Sequence, residues 1–518
     1  RSTLFPYTTL FRSRDDDGQI VFIDGGKITV AERGNVYDSS QLFLKYGNVY
    51  DVDYYSSVPL INYSAEAIDV LPSSYDSRKY GYITPAKDQI QGGNCWAFAG
   101  ISTLEACLKK ATGIDYDFSE ENVKNLMSEY SLFDSEGGIN TGGNLYMFIA
   151  YLAGWFGPTY DEYDPYDDFS SLSVIYDSIV HVQNVYILPE RESFFDNDYI
   201  KSAVMQYGAV SIGIDLSENE GHAVTIVGWD DEFTSNDFLG NKAVGAWIIK
   251  NSWGSEWGYN GFGYLSYQQY ISFGYTFIFD DDRGYSNIYQ YDFAGKSGFH
   301  SINSSEAYIK NKFTAKNDEI LSAFSTYFDK PTNFTVSVYL NGNLVTTQNG
   351  YSETGYYTIP FVNEVPLKKG DSFEISVKFI NGYPVYIPIC TADEINKITF
   401  DKGISFYSTD GRNWDDLYES NTPGVACIKA FTRLKELTEI SIDVNQFAGD
   451  AANPLGNVSV DDLVNIQLNL PEYYAADGFR YPLEGLVTFT INDQYYYANV
   501  ENGKACLNFT FDKEGTYL

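Results

Sequence analysis

A cysteine, a histidine and an asparagine in this chain are spaced as a nucleophile, its base and the group that orients the base. Cys95 opens a run in which Trp96, Phe98, Ile101, Leu104 and Leu108 recur at helical spacing, and Gly113 supplies a C-terminal stop. A thiol in the first turn of a helix lies at the positive end of the macrodipole, which favours thiolate over thiol. Gly92 and Gly93 let the backbone pass close to a ligand, making Gly93 a substrate-binding candidate. Gln89, six residues before the cysteine, can donate from its side-chain amide. A buried structural cysteine would suit such a helix equally well. Downstream residues decide against it. His222 heads one apolar β-run, and a second ends in Asn251, Ser252, Trp253 and Gly254. Cysteine, histidine 127 positions later and asparagine 29 after that give the order and spacing of a Cys-His-Asn triad. The chain has only 3 His, so a chance register is rare. His181 and His300 have no comparable setting and read as surface or satisfied histidines.

The chemistry such a set performs is acyl transfer. Cys95 and His222 would form a thiolate–imidazolium pair that attacks a carbonyl. The Cys95 backbone N–H and the Gln89 amide would hold the oxyanion. His222 would protonate the leaving group and then activate water. Asn251 would orient the imidazole, with Trp253 shielding that bond from solvent.

Elements that can position these groups follow from periodicity. Residues 95–111, 119–130 and 144–153 read as helices, and 209–214, 223–229, 246–250 and 263–267 alternate like strands. A helical half facing a β half leaves a cleft, with the nucleophile on a helix and the base on a sheet. The polar insertion 230–245 reads as an exposed loop.

Residues 71–280 resemble a papain-like cysteine peptidase. The segment Leu71 to Asp76 resembles a mature N-terminus, and Thr84 to Gln89 leads to the oxyanion-hole glutamine. Phe118 to Glu121 resembles the start of the second helix, and Asp164-Pro165-Tyr166 a Tyr-Pro-Tyr segment. Thr141 to Asn144 resembles the Asn-Gly-Gly rim, which implies that Gly142 and Gly143 offer bare backbone to an extended substrate. Trp253 joins Gly93, Gly142 and Gly143 as a substrate-binding candidate. Gly92 and Asn140 stand where relatives usually carry a disulfide pair, so that bridge is expected to be absent. Gly221 precedes the histidine where Asp or Asn is common, and only seven residues separate the run 209–214 from His222. One wall of the cleft should therefore be low.

The rest of the chain reads as β-structure. At 518 residues several domains are expected. Short alternating strands begin after Asp280, with an Asn341-Gly342 hairpin signal, and imply a β-sandwich. Residues 281–434 resemble a lectin-like domain. That resemblance implies carbohydrate binding; the residues offer Trp414 beside Asp410 and Asp415, and a Trp packed at a hairpin explains these more simply. Residues 435–518 resemble an Ig-like repeat of prokaryotic, and more specifically archaeal, adhesin-like surface proteins, cut short at Leu518. The expected fold is thus multidomain, an α+β papain-like peptidase with helical and β halves followed by all-β sandwich domains. Residues 14–70 read as a β-rich transition segment with two short strands around Gly25-Gly26, and Gly34 to Asp38 returns as Gly47 to Asp51. Residues 1–13 resemble translated adapter sequence and are set aside.

Composition narrows the partners. Lys and Arg number 34 against 70 Asp and Glu, a net charge of −36, which disfavours nucleic acid and anionic membrane surfaces. No membrane-spanning run occurs. The 5 Cys are too scattered for a disulfide framework or a CxxC metal pattern, so neither metal nor cofactor is expected. Sequons at Asn62, Asn303, Asn333, Asn457 and Asn508 agree with an extracellular or cell-surface location. The expected partner is a polypeptide substrate. Two alternatives stand beside a surface endopeptidase: an amidase or transpeptidase acting on cell-wall peptide, and a non-catalytic adhesin binding surface carbohydrate.

Overall fold

The computed structural model describes residues 11–14, 20–24, 27–31, 70–127, 142–167, 169–217, 220–236, 242–279, 284–391, 400–421, 423–434 and, near the C-terminus, 438–443, 463–469, 473–474, 480–481, 485–491, 494–501 and 504–510. The echo at residues 34–51 lies outside these, as do Asn140 and residues 128–130 of the expected second helix.

Helix α1, Cys95–Thr112, is the axis of the N-terminal core. Its Ala- and Leu-rich sequence favours the helix, and Gly113 ends it at φ 75°, donating its N–H to Lys109 O. Ile101, Leu104 and Leu108 are fully buried, each contributing about 1.5–3 kcal/mol of transfer free energy. Gly100 lets helix α3, Leu145–Ala153, approach closely, since a Cβ there would stand 2.6 Å from the Phe148 ring. Helix α2, Glu120–Leu126, is capped by the Ser119 hydroxyl, which accepts from Asn122 N. Asn144 caps α3 through the N–H groups of Tyr146 and Met147. Helix α4, Asp198–Tyr207, was not expected; it buries few apolar residues, Ile200, Ala203 and Val204, too short a stripe to stand out in the sequence.

The β half is an antiparallel meander. Val210–Ser217 pairs with Glu220–Asn236, that strand with Lys242–Lys250, and the last with Phe262–Ser266. The insertion at 230–245 departs from the loop expectation: strand pairing continues past Asp230, with Thr234 opposite Val244. Phe233 stacks on Tyr264 at 4.0 Å, which gives this extension apolar support. Ile271–Ile278 pairs with Val210–Ser217 on one edge and Asn184–Ile187 on its other.

Asn184–Ile187 then pairs with Gly355–Leu367, with Tyr356 opposite Val185, so one sheet runs from the strands of the β half into those beyond residue 280. A second sheet orders Asn343–Ser352, Thr332–Leu340, Ser372–Ile380, Ala307–Thr314, Ser405–Ser408 and Asp415–Asp416. Val336, Val338, Phe373 and Ile375 on this sheet share a core with Phe324 and Phe361 on the other, a sandwich. Its hairpin turns at Asn341 and Gly342, with φ 50° and 82°, as the sequence signal required. Trp414 packs edge-on to Tyr308 and under the Lys310 ammonium at 4.4 Å, the hairpin arrangement.

The C-terminal unit has its own small core of Ile466, Leu468, Phe489, Val500 and Ala505. Its sheet orders Thr438–Asp443, Leu463–Asn469, Lys504–Thr510, Gln494–Glu501 and Gly485–Ile491, the first pair parallel. Near the N-terminus, Ile20–Asp24 and Lys27–Ala31 pair as expected, and Phe11–Arg14, from the segment set aside, adds a third strand.

Candidate active site

Cys95 occupies the first position of α1, half-buried, behind an Asn94 whose side chain makes no cap. The Asn94 carbonyl accepts from Ala97 N and Phe98 N. The backbone N–H groups of Ala223, Trp96 and Cys95 itself reach the thiol. Burial is the larger influence and raises the thiol above its ordinary value, with those three N–H groups opposing it. The helix terminus therefore does not by itself yield a low-pKa thiol. Cys95 packs against the core cluster that contains Ala223, the residue that follows His222.

His222 is 8% exposed. Its Nε2 lies 2.8 Å from Asn251 Oδ1. That oxygen also accepts from Ser252 N at 2.8 Å, which fixes the amide with its oxygen toward the ring. Nε2 consequently carries the proton, and the lone pair of the neutral imidazole is on Nδ1. Asn251 follows directly on the strand Lys242–Lys250 and donates its backbone N–H to Gly261 O at 3.0 Å. Trp253 stacks on the imidazole at 4.8 Å, and Trp257 meets Trp253 edge-on at 5.7 Å. Trp253 is itself 39% exposed, so it forms a lid between the His222–Asn251 bond and water.

Gln89 is buried and tied to the same segment. Its backbone N–H donates to Ser252 O at 2.8 Å, and its Oε1 accepts from the Ser252 hydroxyl. Its Nε2 donates one proton to Gly92 O at 2.7 Å, leaving the second amide proton for another acceptor. Ile90, next along, holds φ 57°, a left-handed conformation that is strained for a β-branched residue. Its N–H donates to Asp88 Oδ1 at 2.8 Å.

Gly142 is exposed at φ 106° with open space where a side chain would stand, and Gly143 lies flat on Trp96, where a Cβ would come within 2.4 Å of the indole. The glycine rim thus sits against the residue following Cys95. Gly93 is half-buried in the loop before the helix. The space at Gly221 is open, and the adjoining strands turn over between Ser217 and Glu220, which keeps that wall short.

Beneath the triad lies a charge network absent from the sequence reading. Lys250 Nζ donates to Thr84 Oγ1 at 2.9 Å, and Thr84 donates to Glu105 Oε2 at 2.6 Å. Lys87 pairs with Asp117 at 2.7 Å and Glu120 at 3.1 Å. Burial pulls Lys250 down to about 8, with Glu105 and Glu120 opposing. A cavity of ≈ 10 Å³, room for about one water, is lined by Lys87, Glu120, Lys250 and Asn251. Two signals could have found it: Glu105 inside an apolar helical stripe, and Lys250 ending an apolar strand.

Residues 71–275 match the model of the papain family cysteine proteases, and residues 288–432 match the lectin-like domain. Cathepsin K of Gallus gallus is 32% identical over 216 residues, 37% of this chain and 58% of its own length. Cathepsin K of Mus musculus is 30% identical over 236 residues, 41% of this chain and 65% of its own length. The chain thus spans less than two thirds of the curated relatives it matches. The clostridial cysteine protease Cwp84 after propeptide cleavage superposes with TM-score 0.61 at 24% identity, covering 70% of this chain and 100% of that one. The cysteine protease and lectin-like domains of Cwp84, a surface layer associated protein of Clostridium difficile, give TM-score 0.60 at 23% identity over 78% and 98%. These structures share the fold. The chain carries a papain-family cysteine protease domain followed by a lectin-like domain.

Proposed function

We propose that residues 71–280 hydrolyse peptide bonds through Cys95, His222 and Asn251, with Gln89 and the Cys95 N–H as the oxyanion hole. The observation that carries this is the 2.8 Å contact of His222 Nε2 with Asn251 Oδ1, which leaves Nδ1 to serve the thiol. Burial opposes ionising Cys95 into bulk water. Transfer of its proton to His222 creates two opposite charges together, and their attraction offsets that penalty. The thiolate adds to the scissile carbonyl, and the oxyanion takes the free Gln89 amide proton and the Cys95 N–H. Imidazolium then protonates the departing amine, and neutral His222 activates water against the thioester. Gly142 and Gly143 hold the extended substrate by its backbone, with Gly93 and Trp253 closing the cleft.

We place the protein at the cell surface, supported by its net charge of −36 and by its likeness to a surface layer associated protease. The lectin-like strands and the Ig-like unit would act as tethers or targeting modules toward surface carbohydrate. Hydrolysis of cell-wall peptide by the same residues is the second reading. Incubation with a reduced, unfolded polypeptide and separately with isolated wall peptides tells them apart. Cleavage at many internal bonds of the polypeptide is expected; cleavage of wall peptides alone would replace the first reading with the second.

A further inference from the structure

We propose that the Tyr166 hydroxyl is a positioning group for the oxyanion hole, holding the strained loop that carries Gln89 in register with the helix that carries Cys95. The inference rests on the peptidase reading of this site. The hydroxyl donates to Gln89 O at 2.9 Å and accepts from Asn94 Nδ2 at 3.0 Å. One atom thereby joins the residue bearing the amide donor to the residue immediately before Cys95, whose N–H is the other donor. The loop needs such a tie. Ile90 is left-handed at φ 57°, which its branched side chain disfavours, and its relaxation would turn the Gln89 carbonyl away. The Ser252 contacts hold the amide plane of Gln89 to the β half, and the Gly92 contact is internal to the loop. The Tyr166 contact sets its position relative to α1.

The ring is held by other means than its hydroxyl. Phe98 of α1 meets it edge-on at 4.8 Å and 83°, and Lys124 of α2 places its ammonium over the ring at 5.3 Å. Lys124 in turn donates to Asp167 O at 2.7 Å, anchoring the chain one residue on. Removing the hydroxyl should therefore leave the ring in place and release only the loop. Donors that must meet the developing oxyanion to within a few tenths of an ångström would be misplaced, while the thiol and imidazole, held on α1 and the sheet, would not.

The test is Tyr166→Phe in the full chain, read by four measurements. Loss of one oxyanion donor costs about 100–1,000-fold, so a displaced donor should lower kcat by about 10-fold with KM within two-fold. Affinity for a peptide aldehyde, whose adduct occupies the hole, should fall by about the same factor. Alkylation of Cys95 by iodoacetamide passes through no oxyanion and should keep its rate, and the melting temperature should move little. Unchanged kcat and aldehyde affinity would overturn the inference while leaving the peptidase reading intact. Parallel losses in alkylation rate and melting temperature would also overturn it, showing Tyr166 to be a packing residue. A wild-type chain without turnover on any peptide would sink both.

Discussion

Two regions of this molecule hold the same three residue types and put them to different uses. At the cleft stand Cys95, His222 and Lys250; where the lectin-like strands pack on the peptidase stand Cys427, His181 and Lys296. His222 keeps a ring hydrogen-bonded to Asn251, and Cys95 is half-buried. His181 lies flat on Trp155 at 3.7 Å, and burial drives its pKa down to about 3, so it stays neutral and cannot take a proton in the physiological range. Cys95 stands at the N-terminal end of a helix, where backbone N–H groups oppose the effect of burial on its thiol. Cys427 is fully buried, raised by burial and by nearby Asp292, and hence inert. Lys250 sits in a chain of oxygen partners, whereas Lys296 is sandwiched between Tyr146 at 3.7 Å and Phe299 at 4.0 Å. Residue type does not make a site. Partners that stabilise the charged form, together with a path to solvent, do.

The largest expected contrast is between the two histidines. In the proposed mechanism His222→Ala deletes the general base and the counter-ion of the thiolate together, so catalytic efficiency should fall by more than about 1,000-fold. Asn251→Ala removes an orienting bond worth on the order of 1–3 kcal/mol, so its loss should be roughly 10–100-fold. His181→Phe should stay within about two-fold of wild type, because a ring still stacks on Trp155. Catalytic efficiency on one unstructured peptide, with folding checked by circular dichroism, ranks all three. Equal losses in the His222 and His181 variants would erase the contrast.

The lysines offer a smaller test, in stability. Burial lowers Lys296 from 10.5 to about 8, despite attraction from Cys427 and Asp329. Between those values the unfolded chain binds more protons than the folded one, so stability rises with pH across that window and is lowest below about pH 8. At most about 3 kcal/mol is involved, since a pKa unit is 1.36 kcal/mol and the two ring faces favour the cation. Lys296→Met should flatten the rise of melting temperature between pH 8 and 10.5. A slope unchanged from wild type would mean that Lys296 is charged throughout, held by its aromatic neighbours.

The same comparison explains what was legible in the sequence. Cys95, His222, Asn251 and Gln89 could be singled out because the chemistry proposed for them demands a fixed order and spacing, and the helix of Cys95–Thr112 could be read because its apolar period is long. The Asn341-Gly342 turn was legible because few residue pairs accept positive φ twice. The pairing of Asn184–Ile187 with Gly355–Leu367 was not, since partners about 170 residues apart leave no local pattern. Nor was the role of Tyr166 or Ser252, each of which acts through a hydroxyl that only the tertiary fold aims. The burial of Cys95 was not legible either. The helix terminus favours thiolate, but burial, which the sequence does not display, outweighs it.

The proposed mechanism requires Cys95 to ionise by pairing with His222 in spite of burial. The direct measurement is the alkylation rate of each cysteine by iodoacetamide at pH 6, followed by peptide mass spectrometry, with exposed Cys506 as the internal reference. An ordinary thiol is under about 1% ionised at that pH, whereas an ion-paired one is mostly ionised. Cys95 should therefore react about 100-fold faster than Cys506, with buried Cys107, Cys390 and Cys427 slower than either. Cys95 reacting no faster than Cys506 would contradict the ion pair.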